Sequence, residues 1–467
     1  FWLKPSWAPS GPSAERPRAG PGLGGRSCGM AAPAGPQGSL LHWPQDIVVR
    51  DFRPGSPDDA ACKDLEAKAT MMPKTMRWIV DGHFVHKHAF DRKVSQFPGG
   101  IILVAVSAGE IVGMVCGALK EVRLHWEGEG GRPVMAVYVF DLRVAGSCQR
   151  CGLGAKLVKE LEVRAAERGV KYAYLTVNDN NTKAQQLFRK LGFSECSVRC
   201  PVGAPLAAKP ASREPRPPGV HVARTEGEVA ASLLTAELGR RDLLPADLQA
   251  LAASPFFLGT FVAWEAATGS LDEALAARGS LAAVSLWDGA ALTSFRLTRF
   301  FFPAAWYSSG AFQAALALLA AGATGFWCWH LYGLYAAGYA KWALCEGLLT
   351  ALAAVGALQV RPVLRLVFAL LMHQDREVKM RARLFAPLRR GPRGAELLAA
   401  AVSEAKAAAQ DLDFMSWICN LDRDSPLRDA FGAPTNFSTY FMHKALDGSK
   451  APLPRLEQPD FHDPRDI

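Results

Sequence analysis

The sequence predicts an α+β protein built as two successive units, and three observations carry that expectation. Short β-rich runs joined by tight turns recur from residue 46 onward. A glycine-bearing loop leads out of one long strand into an amphipathic helix. A Pro- and Ala-rich stretch, 203–219, then separates this region from a second one that repeats the order of strands and helices.

Taken in order, residues 1–44 are rich in Pro, Gly, Ser and Arg and poor in acids, which suits a disordered leader. Met30 is the expected start if Phe1 belongs to an over-extended frame. Residues 47–49 read as a strand and 58–68 as a short helix, with Asp58 and Asp59 near its positive end. The apolar run 101–106 turns at Ala108-Gly109 and returns over 111–119, a hairpin; a third long strand spans 134–144. Leu153, Leu157, Leu161 and Ala165 recur at helical spacing, and 172–177 alternates as a strand. A second short helix over 181–191 has Ala184, Leu187, Phe188 and Leu191 on one face, Asn181 at its N-cap and Gly192 after its end. Beyond the linker, 220–224, 259–264, 281–287 and 293–300 are strand-like, with a helix over 226–238.

The 467 residues are 49% hydrophobic, enough to build more than one core. The net charge of +9, from 53 basic and 44 acidic residues, is too mild to single out a polyanionic partner. There is no run of five basic residues and no finger-like Cys/His spacing, so no direct nucleic-acid contact is expected. Ten cysteines spread over this length are too dilute for a disulfide scaffold and read as mostly free thiols.

Residues 301–340 contain no Asp, Glu, Lys or Arg, which exceeds the roughly 20 apolar residues needed to cross a bilayer. The next apolar stretch, 347–371, is interrupted by Arg361 and Arg365. The insert 301–373 therefore reads as two hydrophobic helices. They form either a transmembrane hairpin, with Trp306, Tyr307, Trp327, Trp329 and Tyr332 as interfacial anchors, or a buried pair covering a sheet. If both cross, Arg296 and Arg299 on one flank and Arg376, Lys379, Arg381 and Arg383 on the other face the cytoplasm together. If neither crosses, a soluble cytoplasmic or nuclear protein is expected.

The chemistry concentrates between residues 134 and 200. Out of the strand ending at Val144 comes the run Gln149-Arg150-Cys151-Gly152-Leu153-Gly154, which opens a helix. Such a loop presents free backbone N–H groups and the positive end of the helix dipole, a setting that suits a pyrophosphate. Gly152 and Gly154 allow a phosphate to approach the backbone, and Arg150 adds attraction. Two glycines before a helix also describe a simple tight turn. The continuation through Asn181, Ala184, Leu187, Gly192 and Phe193 adds a second, ordered motif about 26 residues after the first.

Together these residues resemble the GCN5-related N-acetyltransferase superfamily (GNAT). Gln149, Gly152 and Gly154 match its motif A, and Asn181, Ala184, Leu187, Gly192 and Phe193 its motif B. A closer resemblance, to the plant Hookless family of N-acetyltransferases, rests on Leu142-Arg143-Val144, on Ala283-Val284-Ser285-Leu286-Trp287-Asp288 and on Asp463-Pro464-Arg465-Asp466-Ile467. The resemblance implies the GNAT fold: a mixed, mostly antiparallel, splayed sheet flanked by helices. It also implies acetyl transfer from acetyl-CoA to an amine by direct attack, the acceptor being a protein lysine, a protein N-terminus or a small amine. Cofactor binding would then fall on Leu142, Val144, Gln149, Arg150, Cys151, Gly152, Leu153, Gly154, Asn178, Asn181 and Phe188. A backbone N–H near Arg143 or Val144 would polarise the thioester, and Asp141 would be the general base.

Phe188 stands where many superfamily members carry a proton-donating tyrosine, which leaves water, Tyr174 or Cys196 as substitutes. A non-catalytic acyl-CoA-binding or scaffolding protein is the alternative this substitution raises. No metal is expected: the pair Cys148 and Cys151 lies inside the phosphate loop, where a metal would compete with the ligand, and Cys196 with Cys200 does not change that. His83, His86 and His88 read as an exposed helix or loop near the substrate entrance. The expected organisation is a leader (1–44), an acetyltransferase domain (45–202), a linker (203–219), and a degenerate second unit (220–300 and 374–450) around the insert, followed by a tail (451–467). Pro392, in the run Gly391-Pro392-Arg393-Gly394, removes one N–H that a second phosphate site would use.

Overall fold

The computed structural model describes residues 46–68, 80–86, 88–124, 133–206, 216–238, 243–300, 377–431, 438–446 and 462–466, with isolated positions between 327 and 338. The first half contains β1 (Val48–Asp51), α1 (Asp58–Lys68), β2 (Val80–His86), α2 (Arg92–Ser95), β3 (Gly99–Ser107), β4 (Glu110–Arg123), β5 (Pro133–Val144), α3 (Leu153–Glu167), β6 (Tyr172–Asn178), α4 (Thr182–Lys190), β7 (Ser194–Arg199) and β8 (Val202–Pro205). The second half continues with β9 (Val220–Thr225), α5 (Gly227–Leu238), β10 (Leu244–Pro245), α6 (Leu248–Ala252), β11 (Phe257–Glu265), α7 (Leu271–Ala276), β12 (Leu281–Trp287), β13 (Thr293–Phe300), β14 (Glu377–Val378), β15 (Ala382–Arg390), α8 (Gly394–Asp411), β16 (Ser416–Cys419) and β17 (Thr439–Ala445).

The expected hairpin forms as β3 and β4. Its two-residue turn works because Ala108 and Gly109 both take positive φ, 48° and 84°, the geometry that matches strand twist. The first sheet has the order β1-β3-β4-β5-β6-β17-β7, with β10 added on β4. All neighbours along that path are antiparallel except β5 and β6, which run parallel through the crossover helix α3. Period-two alternation gives the sheet two apolar faces. Val137, Val139 and Leu175 lie with Leu153, Leu157 and Leu161 of α3; Ala136, Tyr138, Phe140 and Tyr174 lie with Cys62 and Leu65 of α1 and with Phe90. Each buried leucine of α3 contributes roughly 2 kcal/mol. The close seating of α3 needs Gly117 on β4: a Cβ there would stand 2.8 Å from Leu161 and 2.9 Å from Val137.

The second sheet has the order β8-β16-β15-β12-β11-β9. Read from β9 inward its pairings are antiparallel, antiparallel, antiparallel, parallel, antiparallel, the same succession as from β1 to β17 in the first. Two strands sit in the sheet of the other half. β17, from the end of the chain, lies between β6 and β7, and β8, from before the linker, pairs with β16.

Several expectations need correction. The first strand covers Val48–Asp51, starting later than expected. The segment 293–300 joins neither large sheet: β13 pairs with β2 and β14. The histidines His83 and His86 lie on β2, a strand, where a helix or loop was expected. The polar local sequence hid a partner strand that lies far along the chain. The insert 301–373 lies outside the described residues except for isolated positions such as Trp329 and Tyr332, which are exposed. Among the described residues no helix is long and apolar enough to cross a membrane.

Residues 462–466, expected in a tail, are buried and hold the halves together. Lys120 of β4, with no exposed surface, donates to Asp463 Oδ2 (2.8 Å) and Asp466 Oδ1 (2.7 Å). Arg465 forms a two-bond pair with Asp247 (2.7 and 2.8 Å), and Arg383 of β15 donates to the carbonyls of Pro464 (2.9 Å) and Asp466 (2.7 Å). Burial works against ionisation of Asp463, but Arg465 and Lys120 outweigh it and hold its carboxyl well below the usual range. A carboxyl whose folded pKa lies below its unfolded value stabilises above the unfolded value, about 3.9, and loses that contribution as pH falls toward the folded one. Asp466, raised by burial despite Lys120, contributes with the opposite sign. Breaking a buried pair from one side costs about 3–5 kcal/mol. Asp463→Asn is therefore expected to lower the melting temperature at neutral pH and to flatten its decline below about pH 4, as followed by scanning calorimetry. Wild-type and variant curves that coincide at neutral pH would contradict this.

Candidate active site

β5 and β6 are paired only at Ala136↔Tyr172, Val137↔Ala173 and Tyr138↔Tyr174. Beyond that point β5 stays on β4 and β6 stays on β17, so the two strands part. The parting begins next to a bulge. Phe140 and Arg143 face Cys116 and Met114, which leaves Asp141 and Leu142 opposite Val115 alone, with Asp141 at φ +48°. The Ala145 N–H bonds to the Val112 carbonyl of β4 at 2.9 Å. Successive amides alternate sides, so the N–H of Val144, and of Leu142 two residues earlier, faces the open edge.

The glycine loop follows directly. Arg150 (φ +66°) and Gly152 (φ +88°) both take left-handed backbone, and Gly152 is the N-cap of α3. No side chain caps this helix and no acid occupies its first turn, so its leading N–H groups and dipole remain available to an anion. Gln149, Arg150 and Gly152 are exposed, while Leu153 anchors the turn in the core. Gln149 Nε2 donates back to the Val144 carbonyl at 3.3 Å, which lays its side chain along the open edge. The Cys151 thiol donates to the Cys148 carbonyl (2.9 Å), and no metal-ligand group occurs among the described residues.

On the other strand, the Asn178 carbonyl accepts from Gln185 Nε2 (2.8 Å) and from the Asn181 N–H (3.0 Å), fixing the turn into α4. Asn181 is the N-cap of α4, its Oδ1 accepting from the Ala184 N–H at 3.2 Å. Phe188 is buried edge-on against Phe193 (5.6 Å) in the core shared with α3. Leu142, Val144, Gln149, Gly152 and Gly154 thus gather beside the parting, with Asn178 and Asn181 at its far wall, while Phe188 lies beneath.

Asp141 points to the opposite face. Its Oδ2 accepts from Lys93 of α2 (2.8 Å) and its Oδ1 from Arg143 (3.1 Å); Lys93 also pairs with Glu66 of α1 (3.0 Å). Burial works against the Lys93 charge, but Asp141 and then Glu66 outweigh it and raise its pKa. Of the substitutes for a tyrosine at position 188, Cys196 donates to the Phe441 carbonyl on the far side of β17 from the parting. Tyr174 is fully buried; its hydroxyl donates to Asp466 Oδ2 (3.0 Å), and burial, then Asp466, raises its pKa well above normal.

Sequence reasoning missed Glu66, Lys93, Lys120 and the buried acids near the chain end. Lys120 left one signal: a lysine on the face that Ala118 and Val122 turn into the core.

Comparison with known proteins agrees with this geometry. The profile of the acetyltransferase (GNAT) family matches residues 72–193. "Acetyl transferase GW6a" of Oryza sativa subsp. japonica is 31% identical over 215 residues, 44% of this chain and 48% of that protein. "Probable N-acetyltransferase HLS1" of Arabidopsis thaliana is 29% identical over 185 residues, 37% of this chain and 45% of that protein. The chain thus spans about half the length of the curated relatives it matches. Among solved structures, a tandem GNAT protein from the clavulanic acid biosynthesis pathway aligns with 86% of this chain and 100% of its own, at 13% identity and a TM-score of 0.45. The family profile spans the hairpin, the parted strands, the glycine loop and α4: residues 72–193 form a domain of the acetyltransferase (GNAT) family, in a chain that is similar to the Hookless-type plant proteins.

Proposed function

We propose that the chain is an N-acetyltransferase that passes the acetyl group of acetyl-CoA to an amine by direct attack. The GNAT family uses an acyl-CoA as cosubstrate. The observation that carries the proposal is the parting of β5 from β6 beyond Tyr138 and Tyr174, beside the uncapped N-terminus of α3. The diphosphate would lie on the α3 N–H groups with Arg150 adding charge, and the pantetheine arm would extend along the N–H groups of Leu142 and Val144 like an added strand. One of those N–H groups would polarise the thioester oxygen. The amine, arriving from the α1 and α2 face, would attack the thioester carbonyl; its proton would pass to Asp141, directly or through a water, as the C–S bond breaks. Phe188 has no proton to give, so water would protonate the departing thiolate.

Asp141→Asn is expected to lower kcat by about a hundredfold with acetyl-CoA affinity unchanged. Steady-state thiol release over an amine panel, with calorimetric titration of acetyl-CoA, measures both. An unaltered kcat would remove Asp141 from the reaction. Phe188 favours a second reading, a protein that binds acyl-CoA without turnover, and binding with no thiol release from any amine would select it.

The second half fits a degenerate acetyltransferase-like unit without a site of its own. Its β15 carries a comparable bulge, with Ala386 at φ +51° where β5 has Asp141. At the start of α8, Glu396 stands in the first turn and accepts two bonds from Arg393 (both 2.9 Å), so this turn carries an acid, which would repel a phosphate, where the first turn of α3 carries none.

A further inference from the structure

Two helices, α1 and α2, converge on the Asp141 carboxylate. Lys93, the buried residue of α2, has three ammonium hydrogens, and a carboxylate oxygen is in reach of each: Asp141 Oδ2 at 2.8 Å, and Glu66 Oε1 and Oε2 at 3.1 and 3.0 Å. The side chains of Lys93 and Asp141 are 4% and 7% exposed and that of Glu66 12%, so water screens these contacts little. Stability alone does not explain a lysine so placed, because a buried ion pair adds little over apolar side chains that fill the same space. The Phe90 ring, 4.6 Å from the ammonium, already lines that space with apolar surface. Lys93 is no proton carrier either: its hydrogens are spent on the two acids, which keep it charged against burial.

What these contacts fix is the direction of the Asp141 carboxylate. Asp141 lies in the bulge of β5 at φ +48°, where it has no residue of its own opposite it on β4 to set its side chain. A residue other than glycine keeps such a backbone only where its surroundings over-determine it, and such positions cluster at functional sites. Lys93 ties down Oδ2 and Arg143 ties down Oδ1 (3.1 Å), one lone pair on each oxygen, which leaves a second lone pair to take a proton. We propose that Lys93 is a positioning residue for Asp141: its ammonium aims the carboxylate at the incoming amine and keeps it ionised, while Glu66 shares that ammonium and limits its pull. This rests on the acetyltransferase reading above, in which Asp141 is the base. The other titratable groups around the cluster among the described residues stay neutral. Cys116 of β4 is raised well above normal by burial and then by Asp141, Cys62 of α1 is pushed up to about 12 by burial, and Tyr138 of β5 is raised by burial. Arg143 keeps its charge, as guanidinium groups do. The acid limb of a pH profile therefore reports the carboxylates that share Lys93.

The test uses the full chain, acetyl-CoA and three amines (ethylamine, a peptide with an internal lysine, and a peptide with a free N-terminus), and follows kcat against pH. Comparing variants on one amine cancels the ionisation of the amine itself. A carboxylate that loses a neighbouring cation takes up a proton more readily. Lys93→Met is therefore expected to move the acid limb up by about one pH unit and to lower kcat by about tenfold or more, with acetyl-CoA affinity unchanged. Lys93→Arg is expected to restore most of kcat and return the limb toward its wild-type place. Glu66→Gln removes an anion and leaves the ammonium to Asp141, so its limb is expected to move the other way, to lower pH. A lysine that only filled space would move neither limb. A limb that stays in place in Lys93→Met, or that moves the same way in both variants, would overturn the proposal. If a melting curve shows that Lys93→Met does not fold, Glu66→Gln decides alone: a lower limb supports the proposal and an unmoved one overturns it. If no amine turns over, the carboxyl carbon-13 signal absent from Asp141→Asn is titrated by nuclear magnetic resonance in wild type and both variants, with the same directions expected. An unaltered kcat in Asp141→Asn would strike the base assignment itself; a large loss there, with the limb unmoved in Lys93→Met, strikes the role of Lys93 alone.

Discussion

Gly152→Asp is expected to lower acetyl-CoA affinity by about a hundredfold or more, with little loss of thermal stability. Two effects separate at this position. Gly152 sits at φ +88°, where any side chain costs roughly 1–2 kcal/mol, so Gly152→Ala alone weakens the loop about tenfold. Asp adds a carboxylate at the N-cap of α3, where it satisfies the N–H groups that the diphosphate would otherwise use and repels the phosphates directly. Because Asp is also a good helix cap, its capping bond offsets the backbone strain, and the melting temperature should stay within a few degrees of wild type. Calorimetric titration of the three proteins measures the contrast. An Asp variant that binds as tightly as the Ala variant would show that the diphosphate lies elsewhere.

The second large effect concerns where the fold can be cut. A fragment of residues 46–206 contains both acetyltransferase motifs, yet it is expected neither to melt cooperatively nor to bind acetyl-CoA. It lacks β17, which pairs with β6 over the whole length from Thr439↔Asn178 to Ala445↔Tyr172 and with β7 on its other edge. Removing it exposes two rows of backbone donors and acceptors and takes Phe441 and Met442 out of the core. β6 is the wall of the proposed coenzyme site, so its loss of support is felt there first. Fusing residues 438–446 to the fragment through a flexible linker should recover part of the binding. A fragment that binds like the full chain without that strand would mean β6 is held by local contacts alone.

Much of the first half was legible because its signals are local. The hairpin is written in two apolar runs about a two-residue turn, α3 in four leucine and alanine positions at helical spacing, and the cap of α4 in Asn181. The loop could be recognised since glycine is favoured where the backbone turns left-handed before a helix, as it does at Gly152. The Asp141 position was legible, but its surroundings were not. Lys93 and Glu66 come from two helices whose packing no local pattern encodes.

By itself, the sequence determined the helices and hairpins of the first domain, its glycine loop and its family. Those depend on side-chain period, turn chemistry and motif spacing within a few tens of residues. Only the tertiary structure decided that strands β8 and β17 lie in each other's half, that β13 leaves its sheet for β2, and that residues 462–466 are a buried ionic tie. A strand's hydrogen bonds and a buried ion's counter-charge can be supplied by any segment that folding brings near, however distant in the chain, and no local pattern names that partner.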